Sequence, residues 1–531
     1  MYLKLVGTVA ACFVIWLYLR WLKFKRYWKD RGVPHLPPVP ILGSLTFLQR
    51  ENMGVWIRRM YQHFKSPYFG IWLFFRPCLV VNSPDIARNI LIKDFDNFRN
   101  RFASSGDTDP IGGLNLFTVN DPIWSTMRRH LSSAFTAAKL RIVQDYTRTK
   151  AKELVQRIHI DRNVKIDLKK MFVDYTTDVI GASAFGVKSD ATLTGGGPLR
   201  DITRELTTFS LYRGIQWGSI FLFPELVDIF RFKLFPRSSI VYFEKIFRSM
   251  VAQRKANESY TEPRDLLDLL IKIQEENKSY TDELIISQAA IFLLGGFETS
   301  ATNMTFILYE LAYNQDVQEK LYQELAEAAE RNGSEDFDIK VLSDLTYLEC
   351  VFKGRIKTYN VLVECKIIFS SSKSVLEYAR AFTNLMLLNF TEGLRKYTTM
   401  GWLDRIAMND YKVDDKLTIE AGTVVYINST GMHYDPKYFP DPHKFDPDRF
   451  LPENKDKIVP HSYLPFGEGP RFCVGKRFAL TTVYFGLASI LLNYKLRPCP
   501  NMPRPSDIKI DYRGILYLPG ETLNVEFIPR K

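Results

Sequence analysis

The stretch from Asp282 to Ala312 constrains this chain more than any other. Its apolar residues recur at three- and four-residue spacing, the period of a helix. Thr281 and Asp282 supply capping side chains at its start, and Asn314 suits its end. At the α-helical rise such a segment spans about 46 Å, enough to cross a whole domain. The helical pattern covers most of 55–350. After about Arg405 the texture changes. Tyr411 to Ile427 alternates apolar and polar residues around turn signals, which predicts short strands. Proline-rich loops and a last helix over Gly475 to Leu492 follow. The expected fold is mainly α with small β-sheets toward the C-terminus, in a single large domain over 44–531.

Composition narrows the class. The chain has 531 residues, 46% hydrophobic and 24% charged, the balance of a globular protein. That excludes a disordered chain, a collagen and a coiled coil. The six cysteines (Cys12, Cys78, Cys350, Cys365, Cys473, Cys499) are too scattered for a disulfide framework. No spacing suggests zinc. The net charge is +12, and Arg20, Lys23, Lys25, Arg26, Lys29 and Arg31 supply much of it. This cluster follows an uncharged run, Leu5 to Leu19, so it reads as a membrane-surface signal and not a nucleic-acid one. Residues 1–22 are expected to form a membrane anchor, with the charges behind it on the cytoplasmic side. A cleaved signal peptide fits less well, because the charges follow the apolar run. Residues 23–43 form a basic, then proline-rich stretch, read as a spacer or a plain linker.

The chemistry concentrates in Phe466-Gly-Glu-Gly-Pro-Arg-Phe-Cys473-Val-Gly475. This Gly/Pro loop runs into an apolar helix. A cysteine there is expected to meet free backbone amides, which lower a thiol pKa. A lone cysteine is usually a small buried hydrophobe. The glycines argue otherwise, because they let backbone approach something flat and large.

At these residues the chain resembles the cytochrome P-450 superfamily. Phe466, Gly469, Arg471, Cys473 and Gly475 match its Phe-x-x-Gly-x-Arg-x-Cys-x-Gly signature. Gly295-Gly-Phe-Glu-Thr299 resembles its oxygen-activation motif. Glu392 and Arg395 match Glu-x-x-Arg, Phe445 to Phe450 matches the Pro-x-Arg-Phe region, and Trp124 with Arg128 matches Trp-x-x-x-Arg. The whole chain is similar to microsomal members, most of all to insect enzymes that oxidise xenobiotics and hormones.

The resemblance implies haem b (iron protoporphyrin IX), with Cys473 thiolate as axial ligand to the iron. Phe466 and Gly475 belong to the same loop. Arg471, Arg128, Arg405 and the Trp124 indole are the implied propionate partners; the bland alternative for each arginine is a solvated ion pair. Thr299 would handle a proton beside O2, and Glu298 would link a water chain to solvent. The alternative there is a helix-packing groove. Glu392, Arg395 and Arg449 would form a buried charge network that is structural. Residues 205–235, the loop Phe102 to Asn120, Phe297, and Met400 to Leu403 would wall the site for an apolar small-molecule substrate.

The implied activity is that of an oxidoreductase of class 1.14, a monooxygenase. It would be driven by an NADPH-dependent flavoprotein reductase, so NADPH acts only indirectly, and cytochrome b5 is a further partner. No Gly-x-Gly-x-x-Gly follows a strand, so no nicotinamide site is built in. The implied place is the endoplasmic reticulum membrane, on its cytosolic face, in contact with membrane lipid and with no nucleic acid. Two alternatives stay open: a catalytically impaired lipophile-binding isoform, and an O2-independent haem-thiolate isomerase or dehydratase.

One interval departs from the family. Asp344 to Lys353 reads as the first turns of the Glu-x-x-Arg helix, yet Gly354 to Thr391 separate it from Glu392. Excision restores Phe-Lys-Glu-Gly-Leu-Arg. The Gly354 and Thr391 to Glu392 codons can hold a splice donor and acceptor in frame. The interval is read as a retained intron, or else as a lineage-specific insertion. Its apolar residues, Phe382 and Phe390 among them, are expected to find no space in a packed core.

Overall fold

The computed structural model describes residues 2–135, 137–161, 165–208, 210–256, 263–331 and 390–530. Most of the interval 354–391 therefore lies outside the described residues. Helix Asp282–Tyr313 is continuous. The Thr281 hydroxyl accepts from the Leu284 amide, and Asn314 caps the other end. Apart from Asp282 and Glu283 at its start and the turns around Gly295, its side chains are largely buried on all faces, as expected of a helix apolar all round. It packs on Leu168–Phe185 and on the C-terminal helix Lys476–Asn493. Among the described residues it is the helix long and apolar enough to cross a membrane, but most of it is buried inside the protein. It is the axle of the core.

Strands do form where the alternation over Tyr411 to Ile427 predicts them, β4 Tyr411–Lys412, β5 Thr418–Ile419 and β6 Val424–Ile427, and a further one, β3 Leu403–Ile406, precedes that stretch. The placement of sheets only toward the C-terminus is corrected. The largest sheet begins with a hairpin, β1 Tyr68–Leu73 and β2 Arg76–Val81, and has the order β1-β2-β6-β3. β2 pairs in parallel with β6, Cys78 opposite Val424, and β3 pairs antiparallel with β6. All six β1 positions are buried. A strand covered on both faces shows no alternation, so periodicity does not separate it from helix.

The N-terminal helix Tyr2–Asp30 runs unbroken through the basic cluster. The stretch 23–43, read as a linker, is docked on the sheet. Trp28 is fully buried and its indole N–H donates to the Ile71 carbonyl at 3.1 Å. Gly70 makes room for that ring: a Cβ there would lie 2.4 Å from the indole. His35 bridges to Gly70, and Gly43 to Leu73.

Candidate functional site

Between the long helix and the loop preceding the C-terminal helix lies a cavity of about 370 Å³. The loop is folded back on itself. The Cys473 amide donates to the Phe466 carbonyl at 2.9 Å, and the Phe472 amide to Gly469 at 3.1 Å. Gly467 and Gly469 hold φ of 69° and 72°, the left-handed region open to glycine. At Gly469 a Cβ would sit 1.8 Å from the Leu91 carbonyl oxygen, so no side chain fits. Gly475 then caps helix Lys476–Asn493. Phe466, Arg471, Cys473 and Gly475 all line the cavity.

Cys473 lies deep in the protein, but its side chain is exposed to the cavity. The expectation of a lowered thiol pKa is corrected. Burial pushes the thiol up, opposed by the Gly475 amide and by Arg128, Lys476 and Arg101. Desolvation of the thiolate outweighs those donors.

The long helix supplies the facing wall. Gly295, Thr299, Ser300 and Asn303 line it. The two glycines differ in role. A Cβ on Gly296 would meet Ile180 at 2.7 Å, whereas Gly295 has nothing within 4 Å and opens on the cavity. The Thr299 hydroxyl donates to the Gly295 carbonyl at 2.7 Å. Its oxygen lone pairs are left to accept. Glu298 points the other way. It is 2% exposed, and Lys169 bonds it at 2.7 Å. Its second oxygen has no partner. Phe297, expected as a wall, is fully buried and does not line the cavity. Two residues along a helix turn a side chain by about 200°, so Thr299 faces the site and Phe297 the core. Trp217, Phe221 and Leu234 from 205–235, Leu116 and Phe117 from the 102–120 loop, and Met400 and Leu403 do line it.

Four guanidiniums gather at one end. Arg101, Arg128 and Arg471 line the cavity, and Arg405 is buried behind them. Arg471 stacks over Trp124 at 4.2 Å and donates to the Val119 carbonyl at 3.1 Å. Arg128 lies over Phe472 at 4.8 Å. Arg405 donates to the carbonyl of Asp404, whose carboxylate takes Arg101 at 3.1 Å. Arg101 was not singled out from sequence; it sits one residue before the expected wall loop, outside any quoted motif. Asp404 is the one carboxylate bonded to these four guanidiniums among the described residues: the buried Arg101, Arg405 and Arg471 exceed it by two charges, and the half-buried Arg128 adds a third. Arg405 Nε and Arg471 Nε and Nη1 have no partner. Burial, with the neighbouring arginines, pushes Arg471 down to about 8 and Arg405 to about 9. A haem brings two propionates and needs a soft axial donor. The surplus of two buried cations, their unpartnered N–H groups and the cavity-facing sulfur fit that group.

Below the loop, Glu392 and Arg395 share a helical turn over 390–396. Arg395 donates to both Glu392 oxygens at 2.7 Å and to the carbonyls of His433 and Pro442 at 2.7 and 2.8 Å. Arg449 approaches Glu392 at 3.6 Å and donates to the Asp441 carbonyl. The Asp446 amide also donates to Glu392 at 3.0 Å. Two residues of the interval 354–391 are packed here, against the expectation that it finds no room. Phe390 is 5% exposed and lines the cavity, and the Thr391 carbonyl accepts from Tyr463 at 2.9 Å. Excision would bring Phe352 to the position of Phe390, so both readings of the interval put a phenylalanine at that wall.

Comparison with known proteins follows the same lines. The Cytochrome P450 family model matches residues 33–361 and 380–523, with its break inside the unusual interval. Cytochrome P450 6k1 of Blattella germanica is 30% identical over 94% of this chain and 93% of its own. Probable cytochrome P450 6g2 of Drosophila melanogaster is 29% identical over 92% of each. Cytochrome P450 6B2 of Helicoverpa armigera is 28% identical over 99% of this chain and 98% of its own. With a family match across most of its length, and a cysteine loop, a wall of the long helix and a surplus of buried cations round one cavity, the chain belongs to the cytochrome P450 superfamily.

Proposed function

We propose that this cytochrome P450 is a monooxygenase that takes electrons from an NADPH-dependent flavoprotein reductase, with cytochrome b5 as an auxiliary donor, and oxidises apolar small molecules such as xenobiotics, hormones or lipids. The observation that carries this reading is the shared cavity: Cys473 and the starved arginines on one side, Gly295 and Thr299 on the other. Haem b is the fitting cofactor: Cys473 would ligate its iron, and Arg101, Arg128, Arg405, Arg471 and Trp124 would hold its propionates. When bound, thiolate-ligated iron supplies electron density that favours O–O cleavage.

The chain's own residues do the rest. Gly295 leaves space at the helix wall, and Thr299 Oγ accepts or passes a proton there. Glu298 is the nearest acid of that helix, held on its far face by Lys169, which itself reaches the Thr302 hydroxyl at 2.5 Å. Proton supply through Glu298 requires that carboxylate to leave Lys169. The aromatic and aliphatic lining excludes water and favours apolar substrates. Exposed Ile15, Trp16 and Leu19 on the N-terminal helix, with exposed Leu211, Tyr212, Ile229 and Phe230, support an anchored protein lying on the endoplasmic reticulum membrane with its body on the cytosolic face.

The reduced carbon-monoxide spectrum of the full chain tests the ligand, and reductase-dependent turnover across a panel of apolar compounds tests the activity. A red-shifted Soret band that Cys473→Ser abolishes is expected. A band unchanged in that variant, or turnover indifferent to reductase, overturns the reading. The interval 354–391 is proposed as a retained intron. Deleting it is expected to raise the yield of haem-loaded protein; an equal or lower yield assigns it to the fold.

A further inference from the structure

A second cleft, of about 420 Å³, opens on the opposite side of the cavity wall. Helix Met53–Phe64, the turn after the Glu392 helix and the segment 505–517 line it. Four permanent cations face it, Arg50, Arg58, Lys396 and Lys509, against a single carboxylate, Glu51. Glu51 is already engaged by Arg59 at 2.6 Å, and Lys396 by the buried Glu310. Of the neighbouring carboxylates, Asp511 holds Arg513 at 2.8 Å, and Glu521 takes the Lys509 amide. That leaves Arg50, Arg58 and Lys509 without an acidic partner among the described residues. The half-buried Arg58 guanidinium lies over the Tyr434 ring at 4.3 Å. His443, in the same lining, is held below its ordinary value by burial and by Arg58, Lys396 and Arg395, so the local field is positive. Tyr397, Tyr512 and Tyr517 add aromatic surface.

From this convergence we infer that the cleft binds a phosphate monoester carried on a small, partly aromatic or apolar body, and that its occupancy alters the substrate cavity. Arginine and lysine around a dianion form charge-assisted hydrogen bonds, roughly twice as strong as neutral ones, and tyrosine faces suit the organic part. The link to the cavity is direct. The Tyr517 amide donates to the Thr399 carbonyl at 2.8 Å. Tyr517 and Tyr397 face the cleft, while Leu516, Thr399 and Met400 face the cavity. The same two short segments are thus the wall of both. The inference about the cavity rests on the proposed monooxygenase reading; binding in the cleft does not.

Calorimetry of the full chain in neutral detergent, at ionic strength matched with chloride, tests it with inorganic phosphate and 1-naphthyl phosphate as probes. Saturable binding of 1-naphthyl phosphate is expected, tighter than that of inorganic phosphate. Lys509→Gln, at an exposed position, and Arg58→Gln should each weaken it about ten-fold. Binding unchanged in Lys509→Gln, or none at all, overturns the site whatever the fate of the Arg58 variant. The second readout is the spectral affinity of an apolar ligand for the haem cavity, with and without 1-naphthyl phosphate. An unchanged affinity overturns the link to the cavity. Vesicles of phosphatidylcholine with and without phosphatidic acid separate the two sources of the group. Binding weakened by Lys509→Gln and competed by 1-naphthyl phosphate assigns a lipid headgroup; vesicle binding indifferent to both assigns a soluble ester.

Discussion

Two arginine clusters lie within this protein, and they are built on opposite terms. Around Glu392, Arg395 has both carboxylate oxygens and two backbone carbonyls within 2.8 Å. Although burial opposes it, that pairing holds the Arg395 guanidinium above its ordinary pKa. Around Asp404, Arg405 and Arg471 keep N–H groups with no partner, and burial pushes both well down. A buried charge that is fully partnered is a brace; one left short of anions costs stability until something supplies them. The contrast separates fully paired arginines from under-partnered ones without reference to either motif.

The largest expected effect lies in the paired cluster. Glu392→Ala strands Arg395 without a carboxylate and should cost about 3–5 kcal/mol. Melting of the haem-free chain and the yield of haem-loaded protein both read it, and a melting temperature within a degree or two of wild type would dissolve the comparison. The starved cluster should behave in the opposite sense. Arg471→Met or Arg405→Met removes an under-partnered buried charge, so the haem-free chain should be as stable as wild type or up to about 4 kcal/mol more stable. Haem retention in the same variants should fall. Loss of both together would place these arginines with the braces.

A pH series sharpens the contrast further. His433 sits in the paired cluster, its Nε2 accepting from the Leu464 amide at 2.9 Å. Burial, with Arg395 nearby, pushes it from 6.5 down to about 3. Below about pH 6.5 the unfolded chain binds a proton that the native one refuses, so this contribution is whole above that pH. It falls as pH drops toward 3, by up to about 1.4 kcal/mol per unit. Denaturant titrations of wild type and His433→Gln at about pH 7 and 5.5 test it: the acid-side loss should shrink in the variant. The smallest effect belongs to Trp124→Phe, which trims the surface under Arg471. It should cost about 1 kcal/mol or less of haem-free stability and weaken haem retention less than Arg471→Met does.

Much of the site is written locally, and so is legible in the sequence. The glycines at 467 and 469 announce a left-handed loop, and Glu392 and Arg395 lie on one helical face by spacing alone. The long helix carries its own caps. What escaped reading depends on partners remote in sequence. β1 is buried on both faces, and so is β2 beyond Pro77, so both lose the alternation that marks strands. Arg101 matters through Asp404, some three hundred residues away. Lys169 belongs to another helix, yet it decides where Glu298 points. The thiol pKa is not legible either, because loop sequence shows the donors around Cys473 and not the desolvation that outweighs them.

The chemistry on offer is a matter of local sequence: a cysteine in a glycine loop, an acid and a threonine on one long helix, and arginines at fixed spacings. Those are properties of short segments, set by backbone conformation and helical period. Only the tertiary structure decided which arginines are satisfied and which wait for an anion, which face of the helix meets the cavity, and that Trp28 and the proline-rich stretch belong to the body. The reason is that burial and pairing are sums over neighbours from the whole chain. Desolvation and Coulomb energy at one side chain depend on every charge packed around it, and no local pattern records them.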